Sequence, residues 1–118
     1  MHQILIIEDE KRLAAFLAKG FRKNGFIPTI VTDGEEALQA TQENTYDVIL
    51  LDLGLPIKDG WEVLTELRAR GDKRPVIVVT ALSDLRQEAL AAGANDYVPK
   101  PFRFADLLSV VEEQLEGT

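Results

Sequence analysis

Short apolar runs alternate along the chain with stretches whose apolar residues recur every three or four positions. The runs are Gln3–Ile7, Ile27–Val31, Val48–Leu51, Val76–Thr80 and residues 96–98. They are rich in Ile, Val and Leu. Three are continuously apolar, the pattern of parallel strands covered on both faces. Residues 11–24 place Leu13, Phe16, Leu17, Gly20 and Phe21 on one helical stripe, and Asn24 with Gly25 stops it. Residues 35–44 follow Thr32 and Asp33, either of which can cap, and the leading acids suit the positive end of a helix. Residues 60–70 turn Val63, Leu64 and Leu67 inward and end at Gly71. A fourth helix is predicted over 84–92, starting at Ser83 and Asp84 and stopped by Gly93. The last, over 104–115, carries Leu107, Leu108, Val111 and Leu115.

This alternation is (βα)5, and it predicts an α/β fold with parallel strands joined by right-handed crossovers. Five units suit the doubly wound, flavodoxin-like order 2-1-3-4-5. Pro28 lies in the second strand, which is an edge in that order, and edge strands tolerate proline. Residues 1–118 are expected to form one domain, with no linker, repeat or low-complexity segment. The last residues, Glu116 to Thr118, read as a frayed end or the start of a linker.

Composition narrows the function classes. Twenty acids against 13 bases give a net charge of −7, which repels phosphate backbones and argues against direct nucleic-acid binding. No apolar run is long enough to span a membrane, and the N-terminus lacks the basic-then-apolar pattern of a signal peptide. With no cysteine there is neither a disulfide framework nor a thiolate nucleophile. A cytoplasmic location is the expectation. The lone histidine, His2, sits at the chain end and is given no catalytic role.

In open α/β sheets the site lies beyond the carboxyl ends of the strands, at the switch point. The first strand ends in Glu8 and Asp9, the third in Asp52, the fourth in Thr80 and Ala81, and the fifth in Lys100 followed by Pro101. Three carboxylates crowded together raise one another's pKa unless a cation joins them. Hard oxygen donors point to Mg²⁺. A divalent ion, an ammonium and a hydroxyl together suit a phosphoryl group with its charge spread over three oxygens. A carboxylate such as Asp52 can itself be the nucleophile. Each residue alone also has an ordinary structural reading, as a cap, a loop acid, a strand former or a surface lysine. Their joint placement at consecutive strand ends is what carries the chemistry.

Four segments, IIEDE, VILLDLGLPIKDG, PVIVVTA and AGANDYVPKPF, resemble the receiver domain of two-component response regulators, in order and in spacing, over essentially the whole chain. The chain is thus similar to chemotaxis-regulator-like receivers, and DYVPKPF resembles the receivers of winged-helix transcriptional regulators. The resemblance implies that Asp52 is the phospho-acceptor. It implies that Asp9, Asp52 and the Gly54 carbonyl ligate Mg²⁺ (or Mn²⁺), with Glu8 acting nearby. Thr80, Lys100 and the Ala81 amide would bind phosphoryl oxygens. Lys100–Pro101 would be a cis peptide, and Tyr97 would be an aromatic switch working with Thr80. The implied role is phosphorelay signal transduction and not enzymatic turnover of other molecules. The implied partners are a sensor histidine kinase or phosphotransfer protein and an effector domain, fused or separate. A monomer or a phosphorylation-dependent dimer is expected.

Two features depart from that family. Gly54 stands where a longer or polar side chain is more common, near the path of an attacking water. The last helix has no Lys or Arg after Arg103, whereas related receivers often dimerise through a charged helix 4–strand 5–helix 5 face. Other classes fit less well. A phosphohydrolase of the haloacid dehalogenase type carries D-x-D after its first strand, but Asp52 is on the third and is followed by Leu53 and Gly54. An FMN binder needs a Ser/Thr/Gly-rich first loop, where this chain has EDEKR, and no G-x-x-x-x-G-K-[ST] loop occurs. A receiver-shaped module that is never phosphorylated is opposed by the intact set Glu8, Asp9, Asp52, Thr80 and Lys100.

Overall fold

A computed structural model describes residues 1–82 and 84–116. Ser83 and the terminal Gly117 and Thr118, for which a helix start and a frayed end are expected, lie outside the described residues. The elements are β1 (Gln3–Ile7), α1 (Lys11–Lys23), β2 (Ile27–Val31), α2 (Gly34–Glu43), β3 (Val48–Leu51), α3 (Gly60–Ala69), β4 (Val76–Thr80), α4 (Arg86–Ala91), β5 (Asp96–Pro99) and α5 (Phe104–Glu116). All strand pairs are parallel, in the order β2-β1-β3-β4-β5, so the flavodoxin-like topology stands as expected, with Pro28 on an edge.

Strand residues alternate between two cores. Ile4, Ile6, Leu50, Ile77 and Val79 pack with Leu17 and Phe21 of α1 and with Leu107 and Val111 of α5. Leu5, Ile7, Ile49, Leu51 and Val78 pack with Ala37, Leu64, Leu67 and Ala89 on the opposite face. The central strands β1, β3 and β4 are buried on both faces, which is why they read as unbroken apolar runs. Register then fixes the site. Ile7 lies opposite Leu51, so the residues that follow them, Glu8 and Asp52, emerge side by side.

Helix starts follow side-chain chemistry where a cap exists. Asp33 accepts from the Glu36 amide at 2.8 Å, and Asp59 from the Glu62 amide at 3.0 Å. Neither α1 nor α4 has a side-chain cap, and α4 begins at Arg86 and not at residue 84. Asp84 has φ +59°, a left-handed conformation incompatible with a helix start.

One polar clamp secures the end of the sheet away from the site. Arg74 forks onto Asp72 (Nη2 to Oδ2, 2.6 Å; Nε to Oδ1, 3.0 Å) and donates to the carbonyls of Thr41 and Asn44 at 2.6 and 3.0 Å. The Arg74 hydrogen bonds hold the Asp72 carboxyl below its ordinary range, against an opposing effect of partial burial. A depressed folded pKa stabilises above the unfolded value, near 3.9 for Asp, and the benefit is lost as pH falls through the folded value. Asp72→Asn is therefore expected to cost about 2 kcal/mol at neutral pH. Urea melts across the acid range check this: the gap to the parent chain closes at low pH. A gap independent of pH would contradict it.

Candidate functional site

The carboxyl ends of β1, β3, β4 and β5 bring together Glu8, Asp9, Asp52, Thr80 and Lys100. Glu8, Asp52 and Thr80 are buried, while Asp9 is exposed at the rim. One carboxylate oxygen from each of Glu8, Asp9 and Asp52 lies within 4.8 Å of the others. The Lys100 ammonium bridges two of these groups, donating to Glu8 Oε1 at 2.8 Å and to Asp52 Oδ2 at 3.2 Å. Glu8 Oε2 also accepts from the Glu10 amide at 3.1 Å, and Asp52 Oδ1 from the Gly54 amide at 3.1 Å. The buried acids are thus aimed by main-chain donors from their own loops.

Burial raises the Glu8 pKa, and the Asp52 charge adds to this; the hydrogen bond from Lys100 is the largest influence in the other direction. Burial pulls the Lys100 pKa down, but its contacts with Glu8 and Asp52 outweigh that and leave it raised. Lys100 therefore stays charged. The donor set is all oxygen, dense in negative charge and open at Asp9, which fits a hard divalent cation.

Close backbone approach shapes the surrounding loops. A Cβ on Gly60 would sit 2.3 Å from the Asp52 carbonyl oxygen and 2.5 Å from Leu53 Cα, so α3 starts directly against the loop that follows Asp52. A Cβ on Gly34 would sit 1.9 Å from the Lys58 carbonyl oxygen, which sets the start of α2 against the same loop. Beside Asp52 the space at Gly54 is open: a Cβ there would meet only Asp52 Oδ1, at 3.9 Å. Ile57, in the loop after Asp52, is 75% exposed with φ +69°. That left-handed geometry costs an L-residue about 1–2 kcal/mol, and the β-branch adds crowding.

On the β4–β5 side, Thr80 Oγ1 accepts from the Leu82 amide at 3.3 Å, and Ala81 is exposed next to it. Tyr97 is buried, and its hydroxyl donates to the Leu82 carbonyl at 2.5 Å. The Lys100–Pro101 peptide is cis. Arg86, a residue that sequence reasoning passed over, joins this group. Its guanidinium lies 5.4 Å from the Tyr97 ring centroid and donates to the Tyr97 carbonyl at 3.0 Å and to Asp96 at 3.4 Å. Nothing in the spacing of 86 and 97 announces that contact; it arises from α4 folding back on β5. The close fit of Gly60 was visible only as an Asp-Gly turn.

A doubly wound sheet with an acidic pocket and one lysine at its switch point defines a class of phosphoryl-handling domains. The chain belongs to the response regulator receiver domain family, whose model matches residues 4–112. It is 37% identical over 117 residues to the transcriptional regulatory protein PcoR of Escherichia coli, covering 98% of this chain and 52% of that protein. The chain spans about half the length of the curated relatives it matches. Among solved structures it is similar to the Francisella response regulator 1452 receiver domain (TM-score 0.96, 34% identity, 99% and 98% of the two chains). It is also similar to the response regulator TrrA of Thermotoga maritima in complex with Mg²⁺-BeF (TM-score 0.90, 31% identity, 98% and 100%).

Proposed function

We propose that this chain accepts a phosphoryl group on Asp52 from a histidine kinase, a phosphotransfer protein or a small phosphodonor, and changes shape in response. The observation that carries the reading is the Lys100 bridge to Asp52 and Glu8 beside exposed Asp9. An Asp52 carboxylate oxygen attacks phosphorus, and the bond from phosphorus to the donor breaks, its electron pair leaving with the donor. The residues to hold Mg²⁺ are Asp9, Asp52 and the Gly54 carbonyl, with Glu8 alongside; Mn²⁺ suits the same oxygen donors. When bound, the cation neutralises charge on the transferring oxygens. Lys100 does the same from the other side and, already salt-bridged, needs little reorganisation.

The product adds about −1.5 to −2 charge where Asp52 stood. Lys100 turns from Glu8 toward the new oxygens, Thr80 donates its hydroxyl to one, and the exposed Ala81 amide serves another. Thr80 and Tyr97 both contact Leu82, so a shift at Thr80 is passed to Tyr97 and α4. The open space over Gly54 leaves Asp52 accessible to small donors and to water. The role is signalling in the cytoplasm and not turnover of substrates. The output passes to an effector, fused or separate, with no nucleic acid bound by these residues. The relation to Mg²⁺-BeF-bound TrrA supports the cation, and the relation to PcoR supports a transcriptional output.

The chain's one tryptophan, Trp61, immediately follows Gly60 and provides a readout. Its emission is expected to change on saturable addition of MgCl₂ and again on adding acetyl phosphate. An Asp9→Ala variant should lose the first change. Emission that is unmoved by Mg²⁺ with acetyl phosphate would contradict the reading.

A further inference from the structure

Charge is sorted between two neighbouring helices. α1 carries five bases, Lys11, Arg12, Lys19, Arg22 and Lys23, and no acid, in a chain with 20 acids and 13 bases. α5 carries four acids, Asp106, Glu112, Glu113 and Glu116, and no base. All nine are exposed, and among the described residues none of them forms an ion pair. The two helices lie side by side in one layer and are joined by aromatic contacts: Phe104 of α5 packs edge-on against Phe21 and Phe16 of α1, with centroids at 4.9 and 6.0 Å. Phe16 is nevertheless 54% exposed. Arg12, Phe16, Lys19 and Lys23 follow one another at spacings of four, three and four, so they share one outward stripe. A shallow hollow of about 280 Å³, lined by Phe16, Lys19, Gly20, Lys23 and Phe104, opens along the seam.

We propose that two copies of this chain associate through the α1–α5 face. Both helices follow parallel strands and run the same way. A two-fold axis lying along their seam therefore sets each α1 over the α5 of the second copy. The basic stripe then meets the acidic one twice, once on each side of the axis, and the Phe16 and Phe104 rings of both copies meet at the centre. Such a patch is self-complementary, as an isologous interface must be. An aromatic centre flanked by opposite charges matches the anatomy of protein interfaces. A purely acidic partner would satisfy α1 but be repelled by α5. A purely basic one would do the reverse. A second copy satisfies both. The face shares only α5 with the helix 4–strand 5–helix 5 surface, where Asp96 is already engaged by Arg86 in the same chain.

Charge reversal tests this by sedimentation velocity up to about 1 mM chain. The parent chain is expected to dimerise at low ionic strength, with affinity falling about tenfold as salt rises from about 0.05 to 0.5 M. Lys19→Glu with Lys23→Glu gives two acidic helices, and Glu112→Lys with Glu113→Lys gives two basic ones. Each double variant alone should be monomeric, while an equimolar mixture restores a dimer. All these positions are exposed, and circular dichroism melts establish that each variant is folded. A parent chain monomeric throughout, a variant that dimerises like the parent, or a mixture that stays monomeric would each overturn the proposal.

Discussion

Gly60→Ala is expected to lower stability by about 3 kcal/mol and to impair phosphoryl acceptance at the same time. Position 60 is the first residue of α3, where a side chain is ordinarily welcome and alanine is the better helix former. Here the added carbon would lie 2.3 Å from the Asp52 carbonyl oxygen and 2.5 Å from Leu53 Cα. Both are main-chain atoms and cannot swing aside, so either α3 or the loop after Asp52 must move. Overpacking of this kind costs about 1–3 kcal/mol or more. The Gly60 amide also donates to the Leu53 carbonyl at 2.9 Å, and that bond is strained by the same displacement. A loss of this size corresponds to a fall in Tm of about 12 °C for a domain this small. Calorimetry with and without Mg²⁺ reads it. A variant melting within about 2 °C of the parent chain would contradict the close fit.

Lys100→Met carries the second large effect. Removing the ammonium leaves Glu8 and Asp52 buried together with no cation between them. Breaking a buried pair on one side costs about 3–5 kcal/mol. Burial raises the Glu8 pKa even with Lys100 present, and without it the main force opposing burial is gone. A folded pKa above the unfolded one means that the folded state holds the extra proton. The stability it contributes is present at low pH and lost as pH rises through the folded value. The variant should therefore melt closer to the parent chain at pH 5 than at pH 8, in the absence of divalent cation. Adding Mg²⁺ should stabilise the variant more than the parent, because the cation supplies the missing positive charge. Phosphorylation by acetyl phosphate is expected to slow by about a hundredfold or more. Equal melting at both pH values, together with a normal phosphorylation rate, would contradict the role given to Lys100.

Sequence alone carried the skeleton of this protein because its strands are short, apolar and bounded. Ile4 to Ile7 and Val48 to Leu51 cannot face water on either side, and that forces a sheet with helices on both faces. Once the order of strands follows, Glu8, Asp9, Asp52, Thr80 and Lys100 fall at neighbouring ends with no further information. What stayed hidden depends on backbone conformation and on long-range contact. Asp84 resembles a helix cap in one dimension, yet its left-handed φ delays α4 to Arg86. Gly60 looks like a turn glycine until the distance to Asp52 is known. Arg86 on Tyr97, and Lys100 joining Glu8 to Asp52, pair residues 11, 92 and 48 positions apart. No local pattern encodes such contacts. The segregated charge on α1 and α5 was legible letter by letter, but its meaning needed the two helices side by side.

Phosphoryl incorporation at a single position decides whether Asp52 is the acceptor. The chain is incubated with acetyl phosphate and Mg²⁺, and its intact mass is measured before and after brief exposure to base. The expected result is a mass increase of one phosphoryl group that survives acid, is lost in base, requires Mg²⁺ and is absent from Asp52→Asn. No increase in the parent chain, or an equal increase in Asp52→Asn, would contradict it.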